Sequence, residues 1–469
     1  MSIITRFPPS PTGFMHIGNA RTAYFNWLFA RANGGTFQVR IEDTDRARYK
    51  PEYVDAIMNA LDWLELDHDG EIISQFSRQP RHQEVVQELL NQGKAYHCYC
   101  SPEELDEMRA KAKEAGRPTF YDRRWRDSDP SDKPVDIQPV VRIKAPLSGS
   151  SKVHDLVQGK VTVAAEQLDD FIIMRSDGVP TYMLAVVVDD HDMGVTHVIR
   201  GDDHLNNVFR QNVIYDAMGW DQPNYAHLPL ILGPDGAKLS KRHGAASVED
   251  FRTAGYLPEA MRNYLLRLGW SHGDEEIISN DQALEWFSLE GINKSAGRFD
   301  YQKFESLNAH YLRTREPDHL IALLRAELQQ RFSISLNDTS EARIRAGLDE
   351  LLERAKTVHD LVNESMFYIQ TPAYPTDEKA IKILQDGLPV LQQLHQSLEA
   401  AAPFIADQVK TTCEEVATEH ANGKLGKVGM PLRVALTGTT SSPTIFNVAE
   451  ILGKDESLSR LKAVISQLS

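Results

Sequence analysis

Hydrophobic and polar positions in the first fifty residues follow a strand–helix–strand order. SIITRF (2–7) is a short β-rich run, and from Ile17 apolar residues recur at helical spacing until Asn-Gly-Gly at 33–35. TFQVRIED (36–43) then alternates apolar and polar residues, as a half-buried strand does. The pattern predicts a βαβ unit of a doubly wound α/β fold, with a stiff loop at the carboxyl end of its first strand.

That loop, PSPTGFMHIG (9–18), contains two prolines and two glycines immediately before a helix. The free N–H groups and the dipole at a helix's amino end favour phosphate, and doubly wound sheets bind nucleotides at this edge. His16 could donate a hydrogen bond to a phosphate oxygen, and Gly18 would let a nucleotide lie against the backbone. The alternative interpretation is a tight turn that any α/β domain could contain, because short motifs often occur without the function they suggest.

A second loop carries a cluster of cations. LGPDGAKLSKRHGA (232–245) places Lys238, Lys241, Arg242 and His243 between two glycines, next to an apolar strand. Such a loop suits a polyphosphate whose charge grows during a reaction. A run of charged residues is more often a solvated surface loop. The nucleotide site is favoured here because the sequence also contains the first loop.

After residue 245 the hydrophobic pattern becomes mainly helical. Apolar residues recur at three- and four-residue spacing in 318–332, 343–362 and 379–401. The stretch TPAYPTDE (371–378) contains two prolines and is the best candidate for a late linker. The pattern therefore predicts an all-helical C-terminal region of two subdomains with a break near 371–378.

Composition limits the class of protein without identifying it. The 469 residues are 41% hydrophobic and 25% charged, which is ordinary for a globular protein. The sequence has neither an apolar run long enough to span a membrane nor a signal peptide, and its three cysteines are too few for a disulfide framework. These features predict a cytoplasmic protein. The net charge of −16 excludes a chain that is basic all over, although local basic faces could still meet nucleic acid.

The two loops together resemble the HIGH and KMSKS motifs of class I aminoacyl-tRNA synthetases. Further stretches at 39–45, 180–204, 255–274 and 427–438 are similar to bacterial glutamyl-tRNA synthetases, in the same order along essentially the whole chain. This chain departs from the two motifs at three positions. Those departures are Asn19 at the fourth HIGH position, Leu239 for the KMSKS methionine and Arg242 for its last serine. We expect altered ATP contacts there and no loss of activity.

The resemblance implies an architecture of several parts. A Rossmann-type doubly wound catalytic domain would span 1–82 and 187–244, with an inserted α+β domain for the tRNA acceptor end at 83–186. A connecting domain that contacts the tRNA stem would follow at 245–320, and an all-helical anticodon-binding region at 321–469. The expected state is a monomer.

The implied reaction has two steps and needs no protein nucleophile. The α-carboxylate of glutamate attacks the α-phosphorus of ATP, and the terminal adenosine of tRNA(Glu) then takes the glutamyl group. Catalysis would rest on alignment and charge stabilisation, with Mg²⁺ on the phosphates. The predicted catalytic residues are His16, Lys238 and Lys241. The predicted ATP-binding residues are Pro9, His16, Gly18, Asn19, Lys238, Ser240, Lys241 and Arg242.

A glutamate pocket needs two cations and one anion, because the substrate carries two carboxylates and one ammonium. Arg6 ends the first strand and Arg200 lies in VIRGDD, so these are the candidate cations. By resemblance, Arg6 with Tyr182 contacts the γ-carboxylate and Arg200 the α-carboxylate. Glu42 is the candidate for the ammonium, and Ser10 completes the predicted set.

A basic and aromatic stretch lies inside the inserted region. Residues 109–126 carry seven cations against two carboxylates, with three aromatic residues among them. Cations for phosphates and rings for unstacked bases suit the single-stranded acceptor end of tRNA. A solvated basic helix is the alternative. The tRNA contacts predicted here are Arg117, Arg123, Arg124 and Arg126.

Three further tRNA contacts are predicted in the helical region. Arg354 lies where the resemblance implies an anticodon reader, although a surface ion pair with Glu350, four residues before it, is an equal alternative. GKLGKVGMPLR (423–433) has three cations and no carboxylate. Lys427 and Arg433 in it are predicted to meet the tRNA backbone, unless the stretch is a glycine-rich turn that packs two helices.

The segment CYC (98–100) raises the question of zinc. Some glutamyl-tRNA synthetases hold zinc here with two further ligands, and structural zinc prefers four sulfur or imidazole ligands. The matching later positions hold Trp125 and Asp127 in this chain. We therefore expect no zinc and two packed, reduced thiols, with Tyr121 and Trp125 fixing the tip of the insertion by packing.

Features of the sequence argue against several other functions. A small-molecule adenylyltransferase would leave the long helical tail without a purpose, and a binding protein without activity would not need the intact cationic loop. A glutaminyl-tRNA synthetase would end in β-barrels, and a truncated relative that modifies a tRNA base would lack the anticodon region. The alternative that stays open is a glutamyl-tRNA synthetase that also charges, or prefers, tRNA(Gln).

Overall fold

The structure, a computed structural model, describes residues 2–116, 119–129, 134 and 136–469, and for Lys241 only the backbone. The chain forms two compact units. The first holds the chain up to Arg252 together with Met261–Asp300, and the second holds Thr253–Ala260 and Tyr301–Ser469. The finer division into four domains stays a prediction.

The first unit mixes helices and strands. Its strands are β1 (Ile4–Phe7), β2 (Thr36–Ile41), β3 (Ile73–Ser74), β4 (Ala95–Cys98), β5 (Val140–Ile143), β6 (Ser150–Asp155), β7 (Gly159–Ala164), β8 (Ile172–Met174), β9 (His197–Gly201), β10 (Asn224–Leu228), β11 (Ile231–Leu232) and β12 (Gly297–Arg298). The helices that lie in it wholly or in part are α1 (Ile17–Ala32), α2 (Pro51–Trp63), α3 (Gln79–Asn91), α4 (Pro102–Glu114), α5 (Tyr182–Asp192), α6 (Leu205–Met218), α7 (Val248–Thr253), α8 (Pro258–Arg267) and α9 (Asn280–Trp286).

The predicted βαβ unit is formed by β1, α1 and β2. The two strands pair in parallel from Ile4 opposite Thr36 to Phe7 opposite Val39. The turn between α1 and β2 requires glycine, because a Cβ at Gly35 would lie 2.3 Å from the Ile3 carbonyl oxygen. A right-handed helix between parallel strands brings the end of β1 and the start of α1 to one edge of the sheet.

A second parallel pair, β9 and β10, adjoins β1 through Thr196. The N–H of Thr196 donates to the Ile4 carbonyl at 3.0 Å, and the N–H of Ile4 donates to Thr196 Oγ1 at 2.8 Å. The strands β9 and β10 run in register from His197 opposite Asn224. Because parallel strands share their carboxyl edge, the ends of β1, β2, β9 and β10 face the same cleft.

The inserted strands are antiparallel and have an α+β arrangement. The order β4–β5–β8 forms one sheet, and β6 and β7 form a hairpin that closes at Asp155 opposite Gly159. Ile143 and Phe171 of the insertion pack in one hydrophobic core with Leu184 of α5. This shared core fixes the insertion on the helices that cover the parallel strands.

The second unit is helical, as predicted for the C-terminal region. Its helices from residue 301 onward are α10 (Tyr301–Thr314), α11 (Pro317–Phe332), α12 (Asp338–Ala346), α13 (Leu348–Leu352), α14 (Val358–Ile369), α15 (Glu378–Ala400), α16 (Ala406–His420), α17 (Gly426–Thr437), α18 (Ile445–Leu452) and α19 (Lys454–Leu468). Among the described residues, none of the helices combines the length and the apolar character needed to cross a membrane.

One stretch with a continuous helical pattern is divided in the structure. Residues 343–362 belong to α12, α13 and α14, with breaks at Gly347 and at 353–357. Thr357 starts α14 with a capping box, in which its side chain accepts the Asp360 N–H and Asp360 accepts in return. Residues 371–377 are non-helical and precede α15, which begins at Glu378. That this stretch links two subdomains stays a prediction.

Candidate active site

The loop between β1 and α1 places His16 at the amino end of the helix. His16 is the N-cap residue, and its Nδ1 accepts the N–H of Gly18 at 3.1 Å. Burial lowers the pKa of His16, a hydrogen bond with the Leu239 backbone opposes this, and the charge of Lys238 lowers the pKa further. The imidazole is therefore neutral near pH 7, with its proton on Nε2.

The cationic loop after β11 folds back on that strand. The N–H of Leu239 donates to the Ile231 carbonyl at 3.0 Å, which buries the leucine and turns the flanking residues toward the cleft. Lys238 Nζ lies 3.4 Å from Asp203 Oδ2, and both side chains are largely exposed. An exposed pair of this kind contributes little stability, so an incoming phosphate can displace the carboxylate.

His243 organises the second half of this loop, a role that the sequence did not reveal. Its Nδ1 accepts the N–H of Ser240 at 3.2 Å, and its Nε2 lies 3.0 Å from Asp235 Oδ2. Arg242 also pairs with Asp235, at 3.2 Å, and its Nε donates to His243 Nε2 at 3.1 Å. The backbone of Lys241 opens a 3₁₀ turn, and its side chain lies outside the described part of the chain.

Main-chain hydrogen bonds join the first loop to the segment that follows the cationic loop. The N–H of Ile17 donates to the Ala246 carbonyl at 3.0 Å, and the N–H of Val248 donates to the Met15 carbonyl at 2.9 Å. These bonds hold the two phosphate-directed loops side by side within the first unit.

Arg6 lies at the bottom of the cleft and is only 1% exposed. Its Nε donates to both oxygens of Asp190, at 3.1 and 3.3 Å, and Arg40 Nη1 donates to the same carboxylate at 2.6 Å. Burial would raise the pKa of Asp190, but the charges of Arg6 and Arg40 lower it overall, so the carboxylate stays ionised. Nη1 of Arg6 is buried and has no hydrogen-bond partner among the described residues. Asp190 thus fixes one side of this guanidinium, and a donor on the other side is not used within the described residues.

Glu42 and Tyr182 border the same space. Arg40 Nη2 donates to Glu42 Oε1 at 3.3 Å. Burial raises the pKa of Glu42 despite the opposing charges of Arg40 and Arg6. Burial and the charge of Glu42 raise the pKa of Tyr182, whose hydroxyl lies 3.4 Å from His204 Nδ1. The phenol therefore keeps its proton and can donate it to a carboxylate.

Arg200, at the end of β9, is held by neutral acceptors. Its Nε donates to His227 Nε2 at 3.1 Å, and its Nη2 donates to Gln211 Oε1 at 2.9 Å and to the His204 carbonyl at 3.3 Å. Burial lowers the pKa of Arg200, with Tyr182 opposing and Arg6 adding to the effect. Its Nη1, like that of Arg6, is buried without a partner among the described residues.

A cavity of about 840 Å³ brings most of the predicted site residues together. The predicted residues that line it are Arg6, Pro9, Ser10, His16, Gly18, Asn19, Glu42, Tyr182, Arg200, Lys238 and Ser240. Lining residues that the sequence analysis did not single out include Arg21, Asp203, His204 and Asn207. The cavity therefore has a phosphate-directed end, near the two loops, and an end with two cations and one carboxylate.

Family models match nearly all of this chain. Residues 2–306 match the family described as tRNA synthetases class I (E and Q), catalytic domain. The chain belongs to this family. Residues 319–465 match a family described as anticodon binding domain. The resemblance and the fold class predicted from the sequence are thereby confirmed.

Curated relatives and solved structures are similar over the full length of this synthetase. Glutamate–tRNA ligase 2 of Rhodospirillum rubrum is 54% identical over 463 residues, covering 98% of this chain and 99% of that protein. Glutamate–tRNA ligase 2 of Brucella ovis is 54% identical over 466 residues, covering 98% of each. A crystal structure of a glutamate tRNA ligase from Elizabethkingia meningosepticum in complex with its amino acid is 33% identical, covers both chains completely and has a TM-score of 0.86.

Two arginines that are predicted to contact tRNA form hydrogen bonds within the insertion of this synthetase. Arg126 Nη1 donates to Asp170 Oδ1 at 2.7 Å and to the Ala145 carbonyl at 2.9 Å. Arg123 Nη2 donates to the Leu168 carbonyl at 2.7 Å, and its Nε lies 3.4 Å from the fully buried Asp170. These guanidinium groups support the insertion's own structure, and a role for them in tRNA binding stays a prediction.

Arg124 differs from these two because it faces solvent. It pairs with Asp122 at 2.9 Å and with Glu104 at 3.1 Å, and all three side chains are at least 40% exposed. Such surface pairs contribute little stability, so Arg124 can exchange its partners for phosphate. Arg117 lies outside the described residues.

The cysteine segment 98–100 packs against aromatic rings. Cys98 is buried in a cluster with Tyr121, and Trp125 packs against that cluster and donates its backbone N–H to the Tyr121 hydroxyl at 2.9 Å. Burial and the neighbouring Cys98 raise the pKa of Cys100, so Cys100 is a thiol near neutral pH. Neither cysteine is in a disulfide. In the described parts of the chain, no three histidine, cysteine or acidic side chains are placed to share a metal ion. The expectation that zinc is not bound stays a prediction.

In the helical unit, Arg354 does not pair with Glu350. Its Nε lies 2.8 Å from Glu364 Oε2, and its Nη2 donates to Ser441 Oγ at 2.7 Å. Glu350 instead accepts the N–H of Thr444 at 2.7 Å. The alternative interpretation, an ion pair between Arg354 and Glu350, is therefore wrong, because Arg354 pairs with Glu364. The anticodon role of Arg354 stays a prediction.

Arg433 and Lys427 both lie on α17. Arg433 is partly buried and donates through Nη1 to the Pro443 carbonyl at 2.8 Å. Burial and the charge of Arg354 lower its pKa. The two guanidinium groups bond to adjacent residues, Arg354 to Ser441 Oγ and Arg433 to the Ser442 carbonyl, both at 2.7 Å. Lys427 is exposed at the start of the helix. The basic stretch is thus part of a helix, and Pro431 in it packs against Gly387 of α15.

Proposed function

We propose that this synthetase ligates L-glutamate to tRNA(Glu) in two steps. First, an α-carboxylate oxygen of glutamate attacks the α-phosphorus of ATP, the bond to the bridging oxygen breaks, and pyrophosphate leaves with that electron pair. Second, a hydroxyl of the 3′-terminal adenosine of tRNA attacks the activated carbonyl carbon, and AMP leaves. The names of the relatives support this substrate pair.

The observation that carries the proposal is the arrangement of charge at the deep end of the cavity. Arg6 and Arg200 each present a buried Nη1 without a described partner, and Glu42 lines the same space. Two guanidinium groups and one carboxylate complement the two carboxylates and one ammonium of glutamate. Arg6 with Tyr182 would take the γ-carboxylate, Arg200 the α-carboxylate and Glu42 the ammonium, with Ser10 beside them.

Glutamine would fit this pocket in shape but not in charge. Its uncharged amide would leave Arg6 partly unpaired in a buried position, and the lost charge-assisted hydrogen bond costs about 1.5–3 kcal/mol. That cost corresponds to roughly 10- to 150-fold in discrimination.

At the other end of the cavity, His16 and Gly18 would hold ATP with the amino end of α1. The neutral His16 can donate its Nε2 proton to a phosphate oxygen. Lys238, once released from Asp203, and Lys241 would neutralise the departing pyrophosphate. Mg²⁺ would arrive with ATP as part of the substrate.

For tRNA, we propose that the insertion receives the acceptor end and that the helical unit reads the anticodon. The exposed Arg124 suits a phosphate contact in the insertion. In the helical unit, the neighbouring Arg354 and Arg433 and the exposed Lys427 form a cationic surface that suits the tRNA backbone and bases.

The choice of tRNA is tested separately. We propose tRNA(Glu) as the acceptor and a monomer as the working form, and the alternative of charging tRNA(Gln) is not favoured by the relatives. Charging assays with both purified tRNAs test this choice. Equal charging of the two would contradict it, and loss of a preference in Arg354→Ala would assign the discrimination to that residue.

The reaction itself is tested by ATP–pyrophosphate exchange and by charging. We expect exchange to need both glutamate and tRNA. In the charging assay, we expect charged tRNA(Glu) with glutamate but not with glutamine. An enzyme that activates another amino acid, or that forms no charged tRNA with glutamate, would refute the proposal.

A further inference from the structure

Behind Arg200 lies a chain of two buried side chains that the proposed mechanism does not use. His227, on β10, accepts the Nε proton of Arg200 through Nε2 at 3.1 Å. On its other side, His227 Nδ1 lies 2.6 Å from Asp155 Oδ2. Both His227 and Asp155 are almost completely buried.

The hydrogen bonds allow only one protonation state of this histidine. Asp155 is an ionised acceptor, so Nδ1 must carry a proton, and Arg200 donates to Nε2, so Nε2 must be bare. Burial lowers the pKa of His227 and the charge of Arg200 lowers it further, although the bond to Asp155 works against both. His227 is therefore neutral, with its lone pair directed at Arg200.

Asp155 reaches this position from the insertion. It stands at the end of β6, and its Oδ1 accepts three backbone N–H groups, from Val157 at 3.0 Å, Gln158 at 2.8 Å and His227 at 3.2 Å. The hairpin is anchored on β10 independently, since Gln158 Nε2 donates to the His227 carbonyl at 3.0 Å. The Oδ1 atom is thus committed to the backbone, and Oδ2 alone faces the imidazole.

We propose that Asp155 and His227 are positioning residues for Arg200. They fix the tautomer of the imidazole so that it accepts from Arg200 Nε, which holds the guanidinium with its free Nη1 toward the α-carboxylate of glutamate. This arrangement also keeps Asp155 away from Arg200, so that the cation is not neutralised before substrate binds. The inference rests on the proposed function, since it assigns Arg200 to the substrate.

Asp155→Asn tests the tautomer directly. Because the Oδ1 position accepts three N–H groups, the amide oxygen must take that place and the amide NH₂ must face His227 Nδ1. The imidazole would then carry its proton on Nε2, opposite the donating Nε of Arg200. We expect the KM for glutamate to rise about tenfold or more, with the KM values for ATP and tRNA within about threefold of the parent.

The matched variant is His227→Gln, whose amide oxygen can accept from Arg200 while its NH₂ donates to Asp155 Oδ2. We expect this single variant to stay within about threefold of the parent. In the double variant Asp155→Asn, His227→Gln, the two NH₂ groups would face each other unless the Gln amide turned its NH₂ toward Arg200, so we expect the selective rise in glutamate KM to return. Gln158→Ala, which removes a hairpin contact but leaves Asp155 and His227 in place, controls for docking of the hairpin. If Asp155→Asn does not fold, His227→Phe, which keeps ring volume without the acceptor, is expected to show the same selective rise.

The measurements are glutamate, ATP and tRNA titrations in the charging assay, with thermal melting to verify folding. A glutamate KM within twofold of the parent in folded Asp155→Asn, or an equal rise in Gln158→Ala, would overturn the inference. A double variant with the glutamate KM of the parent would also overturn it. If the parent protein does not charge tRNA with glutamate, the proposed function fails instead, which is a different result in the same assay.

Discussion

Replacement of Arg6 by glutamine tests the glutamate pocket at its most buried cation. The side chain is 1% exposed, bonds to Asp190 through Nε at 3.1 Å and has an Nη1 without a partner among the described residues. Glutamine retains a hydrogen-bond donor and removes the charge. We expect kcat/KM for glutamate to fall steeply and discrimination against glutamine to fall with it.

The magnitude has two parts. Loss of a charge-assisted bond to the substrate carboxylate costs about 1.5–3 kcal/mol, which is roughly 10- to 150-fold in kcat/KM. Loss of a partner for a buried carboxylate costs about 3–5 kcal/mol of stability when no cation remains. Here Arg40 stays 2.6 Å from Asp190, so the loss of stability is expected to be smaller than that range.

A double variant separates recognition from folding. Arg6→Gln with Asp190→Asn removes the cation and the carboxylate that depends on it, so part of the lost stability should return while glutamate use stays low. Arg31→Gln is a matched control, because Arg31 pairs with Asp67 and Asp69 at the surface, at 2.8 and 2.6 Å. The assays are charging kinetics with glutamate and glutamine, and chemical denaturation.

Two results would refute this reasoning. A folded Arg6→Gln variant with unchanged glutamate kinetics would move the specificity role to another residue. Recovery of glutamate kinetics together with stability in the double variant would show that Arg6 acts only on the fold.

Four further predictions address other parts of the molecule. Lys241→Ala should slow adenylate formation in single-turnover assays while tRNA binding stays nearly intact, because charge builds up on the departing pyrophosphate; activation within a few-fold of the parent would contradict this. Lower pH should raise the glutamate KM, because burial raises the pKa of Glu42 and its negative charge is lost as pH falls through that pKa. Glu42→Gln should flatten the dependence of the glutamate KM on pH, and an unchanged dependence in that variant would exclude Glu42 as the titrating group. Asp170→Asn should lower the unfolding free energy by about 3 kcal/mol, because it breaks the buried pair with Arg126, and denaturation that matches the parent would contradict this. Elemental analysis of protein purified without chelator should find no zinc, whereas one zinc per chain that is lost in Cys98→Ser would show the opposite.

Local sequence features predicted β1 and α1 correctly. The breaks in the helical stretch 343–362 were not predicted, because they depend on contacts with residues far away in the sequence. Proline and glycine bound the segment around β1 and α1, so the observed Ile4–Phe7 and Ile17–Ala32 fall at the predicted places. The helical pattern over 343–362 gave no sign of its breaks. At Gly347, an added Cβ would lie 2.8 Å from the Tyr368 hydroxyl, a contact with a residue that is 21 positions away and is fixed only by tertiary packing.

The same distinction applies to the active site. Motif residues such as His16 and Lys238 could be predicted because their chemistry is carried by short stretches. Asp190 was missed because its partner Arg6 is 184 positions away, yet a signal was available. Two adjacent carboxylates, Asp189 and Asp190, end the apolar stretch MLAVVV, and buried carboxylates need cations.

The two arginines of the cavity differ in how far neighbouring carboxylates compensate their charge, and this difference affects how each would bind a substrate carboxylate. A buried ion pair is weak evidence for stability, because desolvation offsets most of the attraction. Arg6 shares its charge with Asp190, whereas Arg200 has only neutral acceptors and no carboxylate within ion-pair distance among the described residues. A substrate carboxylate at Arg200 therefore meets a less compensated cation in a site that is already desolvated. If the α-carboxylate binds at Arg200, the reacting group is held by the less compensated cation. The side-chain carboxylate is then recognised by Arg6, whose charge is partly offset by Asp190.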